Sequence, residues 1–167
     1  MIVFDASTLI LIAKAELLDS FLTGIELKAA IPVEVEKECC DVKKSLDALL
    51  IQKALDESRL KVIAAKNRKL VVKLQGDFGL GRGEAEAIVL ALAEKAQVLG
   101  IDDKNGINAC KLLGIAFTTA IGILVRSREK GLLTGSEALT KLTTLAKQGR
   151  YKESILEDAG RRLETRP

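Results

Sequence analysis

Four acidic residues lie at the two ends of the segment GLGRGEAEAIVLALAEKAQVLGIDDKNG, residues 79–106. Glu84 and Glu86 precede its longer apolar run, and Asp102 and Asp103 follow the shorter one. Glutamates at a helix start gain about 0.3–1 kcal/mol from the helix dipole, and aspartates at a turn commonly cap the next helix. These structural roles suffice for each residue alone. However, the longer run leaves no polar stripe, so we expect its helix to be buried and its acidic end to be shielded from solvent.

Two further acids, Asp5 and Glu38, are also candidate site residues. Asp5 directly follows an apolar stretch that predicts a strand, although it could simply cap the next helix. Glu38 lies in a polar helical stretch, where an exposed position is the ordinary expectation. Carboxylates that are brought together repel one another unless a proton or a cation intervenes. Because Mg²⁺ and Mn²⁺ prefer oxygen ligands, such a group of acids would suit a divalent metal site.

The composition excludes several other kinds of chemistry. The chain has no histidine, which removes Ser-His-Asp and Cys-His catalysis, histidine general bases and His-containing zinc sites. Its three cysteines match no metal spacing, so we expect reduced thiols in a cytoplasmic protein. The apolar start is interrupted by charges and lacks a basic leader, so we expect neither export nor membrane insertion.

Short apolar stretches alternate with helical patterns along the 167 residues. We predict strands at 2–4, 25–31, 60–64, 98–101 and 115–118. We predict helices at 7–15 (with Ser7 as N-cap), 16–22, 33–57, 66–74, 84–96, 105–113, 121–129, 136–147 and 154–163, and a glycine-rich loop over 76–83. This alternation predicts an α/β fold with a mostly parallel sheet. Sites in such folds gather beyond the carboxyl ends of the strands, so Asp5 and Asp102 would meet if their strands were neighbours.

Four segments together resemble the PIN-domain family of metal-dependent ribonucleases, to which the VapC toxins of toxin–antitoxin pairs belong. They are, in chain order, IVFDASTLI, IPVEVEKE, GEAEAIVLALA and LGIDDKNG, and they cover roughly residues 1–125. A later segment, GILVRSREKGLL, is similar to a subfamily that extends past the last strand. The resemblance implies a three-layer α/β/α fold with a mostly parallel central sheet. Residues 1–125 would form the nuclease core, and residues 126–167 a helical extension of the same domain.

The resemblance also implies a set of site residues. The catalytic acids would be Asp5, Glu38, Glu84 and Asp102. The metal ligands would be drawn from Asp5, Glu38, Glu84, Glu86, Asp102 and Asp103, with Ser7 as a supporting hydroxyl. The cofactor would be Mg²⁺ or Mn²⁺, which lowers the pKa of a water that attacks the phosphodiester.

RNA is the implied substrate, and two groups of cations could contact its phosphates. They are Lys66, Arg68, Lys69 and Lys73, and, later in the chain, Arg126 and Arg128. Solvated helix faces explain both groups equally well. A small antitoxin protein and a second copy of the chain are the implied partners. A PIN-like module that binds RNA or protein without cutting stays open as the alternative.

Overall fold

The computed structural model describes residues 1–40 and 45–165. Its strands are β1 (Ile2–Phe4), β2 (Ala29–Ile31), β3 (Leu60–Val62), β4 (Val98–Gly100) and β5 (Phe117–Thr118). Its helices are α1 (Ala6–Lys14), α2 (Leu18–Gly24), α3 (Val33–Cys40), α4 (Leu46–Asp56), α5 (Arg68–Phe78), α6 (Arg82–Ala93), α7 (Lys104–Leu113), α8 (Ala120–Glu129), α9 (Gly135–Gln148) and α10 (Glu153–Glu164).

The five strands form one parallel sheet in the order β3-β2-β1-β4-β5. Helices cover both of its faces, which confirms the predicted three-layer α/β/α fold. Successive residues of β1 face opposite sides: Ile2 and Phe4 join the core under α1–α4 and α8–α10, whereas Val3 joins the core under α5–α7. None of the helices in residues 1–40 and 45–165 combines the length and the apolar composition that a membrane span needs.

The apolar helix α6 is buried as predicted. Its residues from Ala85 to Ala91 are all buried, and they pack with Val3 and Leu99 of the two central strands. The last two helices also contribute to the interior, because Leu145 of α9 and Leu163 of α10 are fully buried in the same core as β1. The C-terminal helices are therefore packed against α1 and α8, in the helical layer on one face of the sheet.

Several predicted boundaries differ from the structure. The predicted helix 33–57 is described as two helices, α3 and α4, and residues 41–44 between them lie outside the described residues. The predicted strand 25–31 is shorter because α2 continues to Gly24 and pairing with β1 begins only at Ala29. The predicted helix 66–74 corresponds to α5, which continues through Gly76 to Phe78. Its C-cap is Gly79, whose φ of 64° is the left-handed conformation that glycine adopts readily.

The N-cap of the first helix is Asp5 and not Ser7. The Asp5 carboxylate accepts a hydrogen bond from the Thr8 amide, whereas the Ser7 hydroxyl donates to Asp5. Ser7 is already inside the helix, so it has no role at the helix terminus. Its side chain is instead free to support the carboxylate that precedes it.

Candidate active site

Asp5 and Asp102 follow two neighbouring strands at the same edge of the sheet. β1 and β4 pair in parallel with Phe4 opposite Gly100. The Asp5 amide donates to the Gly100 carbonyl at 3.0 Å, which carries the pairing one residue further. Asp102 follows shortly after Gly100. We predicted that Asp5 and Asp102 meet if their strands are neighbours. β1 and β4 are neighbours, so this condition is confirmed.

The Asp5 carboxyl group is fully buried, with 0% of the residue exposed. Its Oδ1 accepts from the Thr8 amide at 2.8 Å, and its Oδ2 accepts from the Ser7 hydroxyl at 2.7 Å. The pKa of Asp5 is raised from 3.8 to about 7: burial is the largest cause, these hydrogen bonds oppose the rise in part, and the charge of Asp102 adds to it. Asp5 caps α1, yet its charged form is unfavourable in this site unless a cation approaches.

Asp102 is held by partners from two distant parts of the chain. Its Oδ2 accepts from the Ala120 amide at 2.8 Å, and its Oδ1 accepts from the Tyr151 hydroxyl at 2.7 Å. Burial raises the pKa of Asp102, and both hydrogen bonds oppose that rise. Since each carboxylate oxygen has two lone pairs, each can keep its hydrogen bond and also bind a cation. Asp102 is thus fixed in position without losing its capacity as a ligand.

The Thr8 hydroxyl lies beside both of these carboxyl groups. Thr8 is fully buried, and its Oγ1 has no hydrogen-bond partner of good geometry among residues 1–40 and 45–165. Its proximity nonetheless lowers the pKa values of Asp5 and Asp102. A buried polar atom without a partner normally costs about 1–3 kcal/mol. The interior around Asp5 and Asp102 is therefore polar, and its hydrogen bonding is less complete than that of the rest of the described core.

Glu84 and Glu38 approach each other at the start of α6. Glu84 Oε2 accepts from the Gly81 amide at 2.9 Å. Burial raises the pKa of Glu84, and the charges of Asp103 and Glu38 raise it further. The Glu38 carboxylate lies against Gly83, where a Cβ atom would be 2.5 Å from Glu38 Oε1. Glu38 reaches the start of α6 because residue 83 has no side chain.

Asp103 has the capping role that its position in a turn suggested. Its Oδ1 accepts from the amides of Asn105 at 2.7 Å and Gly106 at 3.1 Å, at the start of α7. Its charge also raises the pKa of Glu84. Asp103 therefore caps α7 and, through its charge, also acts on Glu84 at the start of α6.

Four of the predicted site residues, Ser7, Glu84, Asp102 and Asp103, border a cleft of about 420 Å³, which we call the acidic cleft, whereas Asp5 and Glu38 do not line it. It is lined by Ser7, Leu11, Glu84, Asp102, Asp103, Lys104, Arg150 and Tyr151. Lys104, Arg150 and Tyr151 were not predicted from the sequence. Tyr151 is the single tyrosine of the chain, but its contact with Asp102 joins residues 49 positions apart. No local pattern of the sequence could have revealed that contact.

Glu86 is directed to a different part of the surface. Its Oε1 accepts from Arg82 Nε at 3.1 Å, and its Oε2 accepts from the Glu34 amide at 3.3 Å, at the start of α3. It borders a separate groove together with Arg68. Glu86 thus accepts a hydrogen bond at the start of a neighbouring helix, α3, and the structure does not bring it to the acidic cleft.

The first group of predicted RNA-binding cations lies around the start of α5, outside the acidic cleft. Lys66, Arg68 and Lys69 are exposed there, and Lys73 pairs with Asp77 at 2.9 Å. These side chains form an exposed basic face. They are placed to attract a polyanion but not to touch the carboxylates.

The second group of cations has structural partners. Arg126 pairs with Glu129 at 3.3 Å. Arg128 donates to the carbonyls of Leu133 and Leu163, both at 3.3 Å, and so joins α8 to the residues before α9 and to the end of α10. Contact between Arg128 and RNA would require these bonds to break.

The chemistry of the acidic cleft fits a hard divalent cation. Its donors are oxygens, its acids repel one another, and no lysine or arginine of the described ranges lowers the pKa of Asp5, Glu84 or Asp102. Over the same part of the chain, no three acidic or cysteine side chains are gathered closely enough to hold one ion as they stand.

Comparison with known proteins identifies the family of the chain. No curated protein matches the chain. A family model for the PIN domain matches residues 1–164, almost the whole length. The chain therefore belongs to the PIN-domain family.

Proposed function

We propose that this protein is a metal-dependent endoribonuclease that hydrolyses phosphodiester bonds of RNA at the acidic cleft. PIN domains are generally nucleases and typically use divalent metals. The observation that supports the proposal most strongly is the pairing of Asp5 with Asp102. A fully buried acid, Asp5, and a partly buried one, Asp102, lie at adjacent strand ends, with raised pKa values and no basic partner among the described residues.

In this proposal Asp5, Glu38, Glu84 and Asp102 hold Mg²⁺ or Mn²⁺, and Asp103 assists through its charge. A bound ion supplies Lewis-acid stabilisation of the phosphoryl group and a water of lowered pKa as the nucleophile. Ser7 orients the Asp5 carboxylate through its 2.7 Å hydrogen bond. The partners of the carboxylates restrict their rotation, and such outer partners commonly tune metal sites.

The electrostatics of the cleft also suit a charged substrate. The acids alone would repel a phosphate, whereas Lys104 and Arg150 at the wall of the cleft offset part of this repulsion. The exposed basic face at Lys66, Arg68 and Lys69 lies outside the cleft and would attract the more distant part of an RNA strand. Chemistry and electrostatic docking are thus assigned to different residues.

The proposal also includes a biological role for the ribonuclease. The resemblance to VapC toxins supports a toxin that a small antitoxin protein holds inactive, with RNA as its target. An open reading frame for such a small protein beside this one, and neutralisation of cleavage by its product, would support the assignment. Cleavage that the neighbouring product leaves unaffected would contradict it.

One observation favours a second candidate function, binding without cleavage. Asp5, Glu84, Asp102 and Asp103 each accept at least one backbone hydrogen bond, so each has a structural role even without metal. A PIN-like module that binds RNA would retain them for that reason.

Cleavage of labelled RNAs of varied sequence separates the two functions. The wild-type protein with Mn²⁺ should cut, chelation should stop it, and Asp5→Asn should reduce the rate at least about 100-fold at unchanged fold. If the wild type cuts no RNA and Asp5→Asn binds RNA equally well, the binding module is the correct function.

A further inference from the structure

The segment that joins α9 to α10 turns back onto the carboxyl edge of the sheet. Gly149 ends α9 with an extended backbone, at φ −100° and ψ 172°. The ring of Tyr151 packs directly over Gly149, so closely that a Cβ atom at residue 149 would collide with it. The glycine is needed here for close approach and not for a left-handed turn. This packing aims the tyrosine hydroxyl at the acidic cleft.

The Tyr151 side chain contacts Asp102, one of the proposed metal ligands. Its hydroxyl donates to Asp102 Oδ1 at 2.7 Å, opposite the 2.8 Å bond from the Ala120 amide to Oδ2. Burial raises the pKa of Tyr151 well above its ordinary range, and the charge of Asp102 raises it further. The phenol is therefore a donor at neutral pH, and together with the amide it fixes both oxygens of the carboxylate.

Arg150 is placed at the wall of the cleft by the same turn. It is exposed, and no carboxylate within residues 1–40 and 45–165 pairs with it. The cleft that it borders also contains Glu84, Asp102 and Asp103. An arginine that remains unpaired beside acids is available to a different anion, and its planar guanidinium matches a phosphate group well.

The rigidity of this turn comes from the helices on either side. Leu145 of α9 and Ala159 and Leu163 of α10 are buried in the core that also contains Phe4 of β1. The turn is therefore anchored at both ends to the helical layer that contains α1, the helix that Asp5 caps. Such support is what a site residue on a loop needs in order to hold its position.

We propose that residues 149–151 complete the active site: Tyr151 is a positioning residue that orients Asp102 for metal binding, and Arg150 binds a phosphate of the RNA in the cleft. This inference rests on the proposed ribonuclease function. It assigns separate roles to two adjacent residues, and these roles can be measured separately.

Arg150 is tested by the binding of a fluorescein-labelled single-stranded RNA at several salt concentrations, in the presence of a chelator so that no cleavage occurs. Arg150→Ala should weaken binding about tenfold and reduce the salt slope by about 0.7, the loss expected for one phosphate contact. Lys147→Ala is the matched control, because it removes one exposed charge from the end of α9 that does not line the cleft. The control should change affinity less than about twofold. Equal effects of the two substitutions would overturn the role of Arg150.

Tyr151 is tested by direct titration of Mn²⁺ into the wild type and Tyr151→Phe. The variant keeps the ring over Gly149 and loses only the hydroxyl, so its melting temperature without metal should change little. Its Mn²⁺ affinity should fall about 10–100-fold, as is usual when a partner of a metal ligand is lost. Equal affinity of the two proteins would overturn the positioning role.

The outcomes distinguish this inference from the proposed function. If the wild type binds RNA and Mn²⁺ but cuts nothing, while both variants show the expected losses, the residue roles stand and the ribonuclease function fails. If the wild type cuts RNA and both variants behave like it, the ribonuclease function stands and this inference fails. If the wild type binds neither Mn²⁺ nor RNA, both fail.

Discussion

The carboxyl groups of Asp5 and Asp102 lie at the ends of adjacent parallel strands, and the charge of Asp102 raises the pKa of the buried Asp5. This relationship follows from the order of strands in the sheet. Because β4 pairs with β1, an aspartate near position 5 and another near position 102 arrive at the same edge. The strand order thereby brings together two acids that the chain separates widely.

The pH dependence of the free energy of unfolding should reveal how strongly burial disfavours the charged form of Asp5. Its pKa is 3.8 when unfolded and about 7 when folded, so the folded state holds this proton more tightly. Its contribution to stability is complete below about pH 4 and is lost as the pH rises to about 7, by about 1.4 kcal/mol per pH unit inside that window.

Asp5→Asn removes this titration. In the presence of a chelator, the free energy of unfolding of the variant minus that of the wild type should grow from about pH 4 to about pH 7 and then level off. Urea denaturation of both proteins across this range measures the difference. A difference that does not change with pH would contradict the raised pKa of Asp5.

Added metal should stabilise the protein if the acids form a cation site. An ion that binds only the native state stabilises it by RT ln(1 + [L]/Kd), or about 2.7 kcal/mol at 100 times the Kd. The melting temperature of the wild type should therefore rise as Mg²⁺ or Mn²⁺ is added. The same salt series with Asp102→Asn controls for ionic strength, and identical curves would count against a specific site.

Gly83→Ala should displace Glu38 without unfolding the protein. The added Cβ would meet Glu38 Oε1 at 2.5 Å, and the end of that side chain can move away at little cost. We expect Mn²⁺ affinity and cleavage to fall, with a change in the free energy of unfolding below about 1 kcal/mol.

Gly76→Ala is the matched control for that substitution. Gly76 lies inside α5, and a Cβ there meets nothing within 4 Å. Alanine should stabilise this helix by about 0.5–1 kcal/mol and leave metal affinity unchanged. Wild-type affinity and cleavage in Gly83→Ala would remove Glu38 from the proposed ligand set.

The basic face around the start of α5 should act in docking alone. Replacing Lys66, Arg68 and Lys69 by glutamine should weaken RNA binding and lower its salt dependence, because each lost phosphate contact reduces the slope by about 0.7 for a single strand. Mn²⁺ affinity should stay within about twofold of the wild type, since these residues lie outside the acidic cleft. RNA affinity equal to that of the wild type would indicate an ordinary solvated surface.

The parts of the fold that depend on local pattern could be predicted from the sequence. The alternation of apolar and helical stretches predicted the parallel sheet, and the lack of a polar stripe predicted the burial of α6. Boundaries were less predictable because they depend on partners: β2 begins where pairing with β1 begins, at Ala29. Gly76 did not end α5, because an exposed helical glycine costs only about 1 kcal/mol.

The site residues likewise divide into those that a local sequence pattern predicts and those that depend on packing between distant parts of the chain. Asp5 and Asp102 could be predicted because a strand end is visible in the sequence. The divergence of Glu86 from Glu84 agrees with helix geometry, in which residues two apart point about 200° from one another, whereas the contact of Glu86 with the Glu34 amide depends on packing between helices. Tyr151 and Arg150 reach the cleft only through the packing of the last two helices, which no spacing in the sequence reveals.

The most direct test of the account is Mn²⁺ binding followed by the electron paramagnetic resonance signal of the free ion. A metal site shared by Asp5 and Asp102 predicts that the wild type removes Mn²⁺ from solution, that Asp5→Asn and Asp102→Asn each lose at least about tenfold in affinity, and that the losses in the double variant are not additive, because both acids serve one ion. Control substitution of Asp158, an exposed acid of α10, should have no effect. Equal affinity of the wild type and both single variants would contradict a shared metal site at Asp5 and Asp102.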